Sequence, residues 1–215
     1  MIDVYDYSIV EIDDMMPKEK CKQIIQKFEK DSKKYPGRTI GGVNPKLKVS
    51  TDLAMIGSEW KNEFDCVMYV IESSMCEYMK RISKIDKTRK NNNIGELVNC
   101  IMHTDFTNPI IQKTSANVGF FNWHTDFNLD NDRILAIILY LNDVKEEDGG
   151  STEFNSGRKI QPEAGKIIIF PSDLTHLHRG NVLKHGSKYI ATVFFHIPNP
   201  PPPDPPPFIP SFIFS

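Results

Sequence analysis

Eight short apolar runs follow one another in the second half of the chain, and no helix-length pattern separates them. Turn signals such as DGGS, NSGR and PEAG lie between the runs. Parallel strands need long crossover connections, so strands this close in sequence must pair largely antiparallel. The pattern predicts a jelly-roll-like sandwich or barrel. The runs are IIQKT, ANVGFF, RILAIILYLN, STEF, RKIQ, KIIIF, HLHRGNVL and KYIATVFFHI.

The first half of the chain has helical periodicity instead. Pro17 followed by KEKCKQIIQKFEKDSKK predicts a helix from about Pro17 to Lys33. A longer helix is predicted from Ser58 to about Ile85, where apolar residues recur every three or four positions. We place the change from helix to strand near Asn93. The fold class is therefore α+β, with support helices from about residues 1–93 packed outside a β-core of about residues 94–197.

Proline dominates the C-terminal segment. Nine of the fifteen prolines lie between Pro198 and Pro210, and the chain then ends in the apolar sequence FIPSFIFS. Proline lacks a backbone donor, so this segment is expected to be polyproline II and neither helix nor sheet. The sequence thus predicts one domain over residues 1–197 and a proline-rich tail over residues 198–215.

Composition excludes several kinds of protein. A net charge of −2 leaves no excess of lysine and arginine for coating nucleic acid or an anionic membrane. No apolar run approaches the roughly 20 residues that a membrane helix needs. The N-terminal segment lacks the basic start of a secretion signal, and the four cysteines show no C-x-x-C spacing. We therefore expect a cytoplasmic protein with reduced thiols.

Histidine and aspartate form a candidate metal site. In His124-Thr125-Asp126 the two outer residues point to one side of an extended chain, so they can grip one ion. The same tripeptide occurs at His103-Thr104-Asp105, which shows that it is weak evidence alone. The segment IIIFPSDLTHLHRG offers a third ligand. Two histidines and one carboxylate occupy three positions of octahedral Fe(II) and leave three open for an organic cosubstrate and oxygen.

The third ligand is either His176 or His178. Because side chains alternate along a strand, an orientation that turns one of these histidines toward a metal turns the other toward it as well. Strand parity alone therefore does not choose between them.

From Gln112 to His196 the chain resembles the Fe(II)/2-oxoglutarate dioxygenases of the prolyl 4-hydroxylase type. The resemblance rests on five elements in the family's order, which are WHTDF, RILAIILYLN, GGSTEF, PEAGKIIIFPS and HRGNVLKHGSKYIATVFF. It implies a double-stranded β-helix with support helices. It also implies Fe(II) and the cosubstrate 2-oxoglutarate, with ascorbate as an iron reductant expected from the family alone.

The resemblance separates the two HTDF copies. The second copy is preceded by Trp123 and followed at once by the RILAIILYLN strand, as in the family. His124 and Asp126 are therefore the expected metal ligands. We interpret His103 and Asp105 as part of a polar loop, with Asp105 in a turn.

The family pattern also favours one of the two downstream histidines. Counting from the FPS motif favours His176, whereas Gly180, Gly186 and Lys188 match the family's distal spacing when His178 is the ligand. We take His178 as the third ligand. His176 is then expected to orient a ligand or to contact substrate.

Other residues of the site follow from the resemblance. Lys188 is expected to pair with the carboxylate of 2-oxoglutarate that does not chelate iron, because a buried carboxylate needs a partner. Tyr140 resembles a tyrosine whose hydroxyl reaches the same carboxylate, although as a β-forming residue on an apolar strand it could equally belong to the core. Thr192 lies four residues after Lys188 and so on its face. Arg133 matches an arginine that faces substrate in several members, although we favour its interpretation as a solvated loop arginine.

The implied reaction hydroxylates a C–H bond and releases succinate and CO2. Peptidyl proline is the leading substrate, so a proline-containing peptide or protein is the expected partner. One alternative is hydroxylation of a small metabolite or of another protein side chain. Another is a catalytically silent jelly roll whose polyproline tail docks an SH3- or WW-like partner. The sequence leaves the physiological substrate and the oligomeric state open.

Overall fold

The computed structural model describes residues 7–39, 41–85, 105–127 and 133–196. Helix α1 covers Lys18–Lys30 and helix α2 covers Lys61–Ile85, which follows a 3-10 turn at Ser58–Trp60. The strands are β1 Val10–Ile12, β2 Tyr35–Pro36, β3 Lys48–Val49, β4 Thr51–Ala54, β5 Asp105–Phe106, β6 Ile110–Ser115, β7 Phe120–His124, β8 Arg133–Tyr140, β9 Thr152–Phe154, β10 Lys159–Ile160, β11 Ile167–Pro171, β12 His178–Gly180 and β13 Ser187–His196.

The strands form two antiparallel sheets. The major sheet has the order β1-β11-β8-β13-β6-β4-β2, and β5 also pairs with β13. The minor sheet has the order β10-β9-β12-β7-β3. Neighbours in space are distant in sequence, as in β8 between β11 and β13. The two sheets make the jelly roll of a double-stranded β-helix, as the sequence predicts.

Strand β8 shows why the central apolar run is continuous. Ala136, Ile138 and Tyr140 lie in the same apolar cluster as Phe154 of the minor sheet, so this face looks into the sandwich. The alternate residues of β8 lie in a second cluster with residues of α1 and α2. Both faces of β8 are therefore buried, which removes the polar alternation of a half-exposed strand.

The two helices cover the outer face of the major sheet. Helix α1 buries Cys21, Ile24 and Phe28, as the apolar spacing predicts. It ends at Lys30 rather than Lys33, because Asp31 adopts an extended backbone and its side chain accepts a hydrogen bond from the Lys33 N–H at 2.7 Å. That local turn competes with a further helical turn.

The first half of the chain also contains strands that its periodicity does not predict. Strands β1 to β4 extend both sheets, and β3 and β4 contribute directly to the surroundings of the site described below. Two of the four have only two residues, too few to show alternation. The expected change near Asn93 and the tail 198–215 lie outside the described residues, so the proposed domain limits stay predictions. Within the described part of the chain, no helix has the length and apolar character needed to cross a membrane.

Candidate metal centre and its cavities

Three ligand side chains meet at the edge of the minor sheet. Strand β7 ends at His124, and the chain turns just beyond it, which places Asp126 beside the strand end. Strand β12 begins at His178, which pairs with His124 in the ladder. The pairing brings residues 54 positions apart into direct contact across one pair of strands.

The donor atoms are close enough to share one ion. The Asp126 carboxylate oxygens lie 3.8 Å from His124 Nε2 and 3.5 Å from His178 Nε2. All three ligand atoms lie within 4.8 Å of one another. Two donor atoms bound at about 2.1 Å and at right angles to one metal lie about 3 Å apart, so only a small contraction is needed.

Backbone carbonyls fix the orientation of both imidazoles. His124 Nδ1 lies 2.7 Å from the Asn122 carbonyl oxygen, and His178 Nδ1 lies 3.1 Å from that of His176. A carbonyl oxygen only accepts, so each Nδ1 carries the proton and donates it. Each Nε2 therefore presents its lone pair toward Asp126, as a metal ligand must.

Burial keeps the His124 ring neutral. Removal from water, with a smaller contribution from the neighbouring His178, lowers the pKa of His124 to about 2. The ring is therefore unprotonated at physiological pH. A neutral imidazole is the form that binds a metal.

His176 does not face this site. Residues 173–176 form a turn, in which the His176 N–H donates to the Asp173 carbonyl at 3.3 Å. The ring lies between the Asp173 carboxylate, 2.7 Å from Nδ1, and the Ser8 hydroxyl, 2.7 Å from Nε2. The expectation that the side chains of His176 and His178 face the same way is wrong, because Asp173 and Ser8 hold the His176 ring away from the candidate ligand set. His176 contacts the site only through its carbonyl oxygen, which accepts from His178.

The other HTDF copy lies elsewhere. His103 falls outside the described residues. Asp105 was expected in a turn, but it begins β5 and pairs with His196 of β13. Asp105 is exposed, and it is not part of the one candidate metal cluster found among the described residues.

A small cavity of about 70 Å³ adjoins the three ligands, and we call it the inner cavity. Lys188 of β13 lines it and is only 4% exposed. Its Nζ donates to the Gly150 carbonyl at 2.8 Å, and no other hydrogen bond or ion pair of this ammonium occurs in the described structure. Burial lowers the pKa of Lys188 to about 8. A buried cation with two unused donors is an anion-binding group.

Tyr140 and Thr192 occupy different positions relative to the inner cavity. Thr192 lines it, and its hydroxyl accepts a hydrogen bond from the Gln112 side chain at 3.0 Å. Tyr140 is buried among apolar residues, and its hydroxyl donates to Thr152 at 2.7 Å. Thr152 in turn lines the cavity. Tyr140 therefore does not line the cavity itself but contacts Thr152, which does. Its predicted contact with a cosubstrate stays a prediction.

A cleft of about 830 Å³, the outer cleft, also adjoins His124 and Asp126 and shares part of its lining with the inner cavity. His124 and Asp126 line it together with Arg133, Phe194 and Trp123. The Arg133 guanidinium lies 3.8 Å from the centre of the Phe194 ring, and its Nε has no hydrogen-bond partner among the described residues. Arg133 is therefore not the solvated loop arginine that we favoured from the sequence, because it begins β8 and packs on Phe194. It lines the cleft as a cationic residue.

A buried ion pair between the two spaces was not predicted. Lys48 Nζ lies 2.9 Å from the Asp52 carboxylate, and both side chains are about 5% exposed. Lys48 Nζ also lies 5.2 Å from the centre of the Phe121 ring, and that ring stacks on His124 with centroids 3.5 Å apart. The pair thus supports one metal ligand through an aromatic ring. No spacing motif marks it, since both residues belong to the half in which only helices were predicted.

Residues 111–196 match the family model described as the 2OG-Fe(II) oxygenase superfamily. This segment contains all three candidate ligands and Lys188. A comparison with curated protein sequences finds no match.

Solved structures with the same fold include three prolyl hydroxylases. One is a Trichoplax adhaerens prolyl hydroxylase in complex with a hypoxia inducible factor peptide fragment, with 16% identity, a TM-score of 0.68, and coverage of 89% of this chain and 84% of that one. The second is the collagen prolyl hydroxylase of Paramecium Bursaria Chlorella virus-1 in complex with 2OG, with 20% identity, a TM-score of 0.60, and coverage of 89% and 98%. The third is a Pseudomonas putida prolyl-4-hydroxylase, with 15% identity, a TM-score of 0.64, and coverage of 88% and 92%.

The residues present fit the two groups that this family uses. Two neutral imidazoles and a carboxylate are an Fe(II) donor set that leaves positions open. The ammonium of Lys188, in the same cavity but without an acidic partner, suits the far carboxylate of 2-oxoglutarate. The chain therefore carries groups for both the metal and the cosubstrate.

Proposed function

We propose that this 2-oxoglutarate-dependent dioxygenase, whose residues 111–196 match the 2OG-Fe(II) oxygenase superfamily, hydroxylates prolyl residues of a peptide. The observation that carries the proposal is a candidate metal-ligand set that adjoins two spaces of different character. The inner cavity suits a small dianion, and the outer cleft is open enough for an extended peptide. The fold shared with three prolyl hydroxylases supports proline as the target residue.

The chain's own residues bind and orient the reactants. His124, Asp126 and His178 hold Fe(II) through the atoms that face one another. Lys188 donates to the far carboxylate of 2-oxoglutarate, so the cosubstrate enters with a fixed orientation. With both groups bound, the site uses O2 to convert 2-oxoglutarate to succinate and CO2 and a substrate C–H to C–OH.

Other residues protect and align the reaction. The apolar walls of the inner cavity, including Ile138 and Ile190, exclude water from the cosubstrate. Thr192 and the Tyr140–Thr152 pair offer hydroxyl groups at or behind the cavity wall. On the cleft side, Arg133 has donors for the carbonyl groups of a peptide whose prolines lack N–H groups.

The test is a coupled assay with defined peptides. Purified protein is incubated with Fe(II), 2-oxoglutarate and O2, with or without a proline-rich peptide, while succinate and peptide mass are measured. We expect peptide-dependent succinate and one added oxygen atom per succinate, located on proline by fragmentation. The control is Asp126→Ala, which should produce neither. If oxygen is added to a small molecule or to another side chain instead, that molecule or side chain is the substrate and proline is not. The protein would still be a dioxygenase.

A further inference from the structure

The chain leaves the described fold at the mouth of the outer cleft. Strand β13 ends at His196, whose partner in the ladder is Arg133 of β8. Arg133 and Phe194 both line the outer cleft, as do the ligands His124 and Asp126. The residues that follow β13 therefore start beside the entrance to the metal centre.

The segment that starts there consists largely of the residue on which the proposed enzyme acts. Pro198–Pro210, the proline segment, contains nine prolines. In the expected polyproline II conformation it advances about 3.1 Å per residue, so Pro200–Pro203 lies about 12 to 22 Å along the chain from His196. A preformed helix of this kind loses little conformational entropy on docking. These four prolines are thus within reach of the cleft beside which the segment begins.

Charge also matches between the segment and the cleft. Asp204 is the single ionisable side chain in the proline segment. Arg38 and Arg133 line the cleft, and neither forms an ion pair in the described parts of the chain. The acidic residues of the cleft are already engaged, since Asp52 pairs with Lys48 and Asp126 is a metal ligand. The cleft therefore has cationic groups free for one carboxylate.

We propose that the proline segment docks in the outer cleft of its own molecule, where a proline within Pro200–Pro203 is hydroxylated. This inference rests on the proposed function. One oxygen atom of O2 is inserted into a prolyl C–H bond, which becomes C–OH. The other oxygen atom enters succinate as 2-oxoglutarate loses CO2. While docked, the segment competes with any peptide substrate supplied from outside.

The first experiment measures modification of the full-length protein. The chain is incubated with Fe(II), 2-oxoglutarate and O2, and the tail peptide is analysed by mass spectrometry. We expect one added oxygen atom within Pro200–Pro203, with a rate constant unchanged over about a hundredfold dilution, because the reaction is intramolecular. Mixed with the active protein, full-length Asp126→Ala provides a tail that can be modified only by another molecule, and we expect it to react at least about tenfold more slowly.

The outcomes separate this inference from the proposed function. A rate that rises with protein concentration, or equal modification of the Asp126→Ala tail, would show docking between molecules and overturn the inference. An unmodified tail in a preparation that hydroxylates an added proline peptide would also overturn it, and the proposed function would stand. If neither tail nor peptide is modified, the proposed function fails, and docking is decided by the binding experiment.

The second experiment needs no metal or cosubstrate. The chain has two tryptophans, of which Trp60 is buried and Trp123 is 40% exposed in the cleft. Acrylamide quenching of the fluorescence thus reports cover over Trp123. Full-length protein with serine at positions 200–203 should show about a twofold larger quenching constant, because the indole loses its cover. Asp204→Arg should shift quenching in the same direction, whereas Lys113→Met, a change outside the cleft, should leave it unaltered. Equal quenching in all four proteins would exclude docking.

Discussion

The inner cavity and the outer cleft share His124, Asp126 and several other lining residues, but each also has lining of its own. The inner cavity is lined mainly by strands β6, β7, β8, β12 and β13 of the jelly roll, and its lining residues are all buried or half-buried. The outer cleft takes one wall from the connections around β2 and β3, including Tyr35, Arg38 and Leu47. Two of these side chains, Arg38 and Leu47, are exposed.

This difference suggests that the inner cavity serves the chemical reaction and that the outer cleft determines which peptide binds. His124 and His178 pair with each other in the ladder, and His178 also pairs with Phe154, so the positions of the two imidazoles are fixed before any substrate arrives. A wall made of loops can change its residues without disturbing that geometry. Variants of residues that line only the inner cavity should therefore affect metal or cosubstrate, and variants of Arg133, which lines only the outer cleft, should affect peptide alone.

The largest effect is expected from the metal ligands. His178→Ala and Asp126→Ala each remove a donor atom but little core volume, so Fe(II) binding and succinate formation should both be lost without unfolding. His176→Ala is the matched control, since it removes a neighbouring histidine whose side chain points away, and it should retain measurable activity. Anaerobic Fe(II) titration, a succinate assay and circular dichroism provide the readouts. If activity survives in His178→Ala but not in His176→Ala, the third metal ligand is His176 and not His178.

The next effect concerns Lys188. Lys188→Met keeps the length of the side chain but removes the charge, so the 2-oxoglutarate concentration for half-maximal rate should rise by at least about 30-fold. Fe(II) affinity should change little, because Lys188 is not a ligand. Titration of each component separately checks this. Equal loss of both affinities would mean that the variant disturbs the fold and that the inner cavity is not a separate site.

Alternation along a strand predicted that His124 and Asp126, two residues apart, could hold one ion. Lys188, ten residues after His178, was predicted only from the family pattern. The choice of His178 over His176 also needed the family pattern, because strand parity treats the two histidines alike. Tyr140 shows the limit of the same argument. Its strand position was predicted, but not the Thr152 hydroxyl that accepts its hydrogen bond.

The part of the outer cleft that the first half of the chain forms was not predicted. Lys48 and Asp52 come from β3 and β4, which are so short that their apolar and polar residues form no pattern. Their burial results from pairing with β7 and β6, strands more than 50 residues away in sequence. Contacts of this kind depend on topology, and local sequence does not encode them.

Lys48→Met tests whether the cleft wall supports a metal ligand. The change removes the ammonium that lies against Phe121, so the ring stacked on His124 loses one of its contacts. We expect Fe(II) affinity to fall about tenfold, the lower end of the range for groups that orient a ligand. Lys113→Met is the control, because this lysine also forms an ion pair, with Glu29, but lies outside both spaces. An unchanged Fe(II) affinity in Lys48→Met would show that Lys48 does not help to position the metal ligands.

The pH dependence of 2-oxoglutarate binding tests the inner cavity without a mutation. Burial lowers the pKa of Lys188 to about 8, so the free protein loses the ammonium as pH rises through that value. A bound carboxylate favours the charged form, and binding above pH 8 must therefore include uptake of a proton. Affinity should be constant below about pH 7 and fall by about tenfold per pH unit well above 8. Isothermal titration in buffers of different ionisation enthalpy would detect the proton, and in Lys188→Met the proton uptake should be absent.

The smallest effect is expected from Arg133, at the boundary between the two spaces. Arg133→Met keeps much of the apolar contact with Phe194 but removes the donors that face the cleft. The KM for a proline-rich peptide should rise several-fold, which is about the loss of binding free energy expected when one or two exposed hydrogen bonds are removed. The KM for 2-oxoglutarate and the Fe(II) affinity should stay the same, because Arg133 is neither a candidate ligand nor part of the lining of the inner cavity. Steady-state kinetics with each substrate varied in turn gives both values. A parallel rise in the KM for 2-oxoglutarate would show that Arg133 also shapes the inner cavity. Residues of β8 would then belong to the site that binds the cosubstrate, and only residues outside β8 would bind the peptide alone.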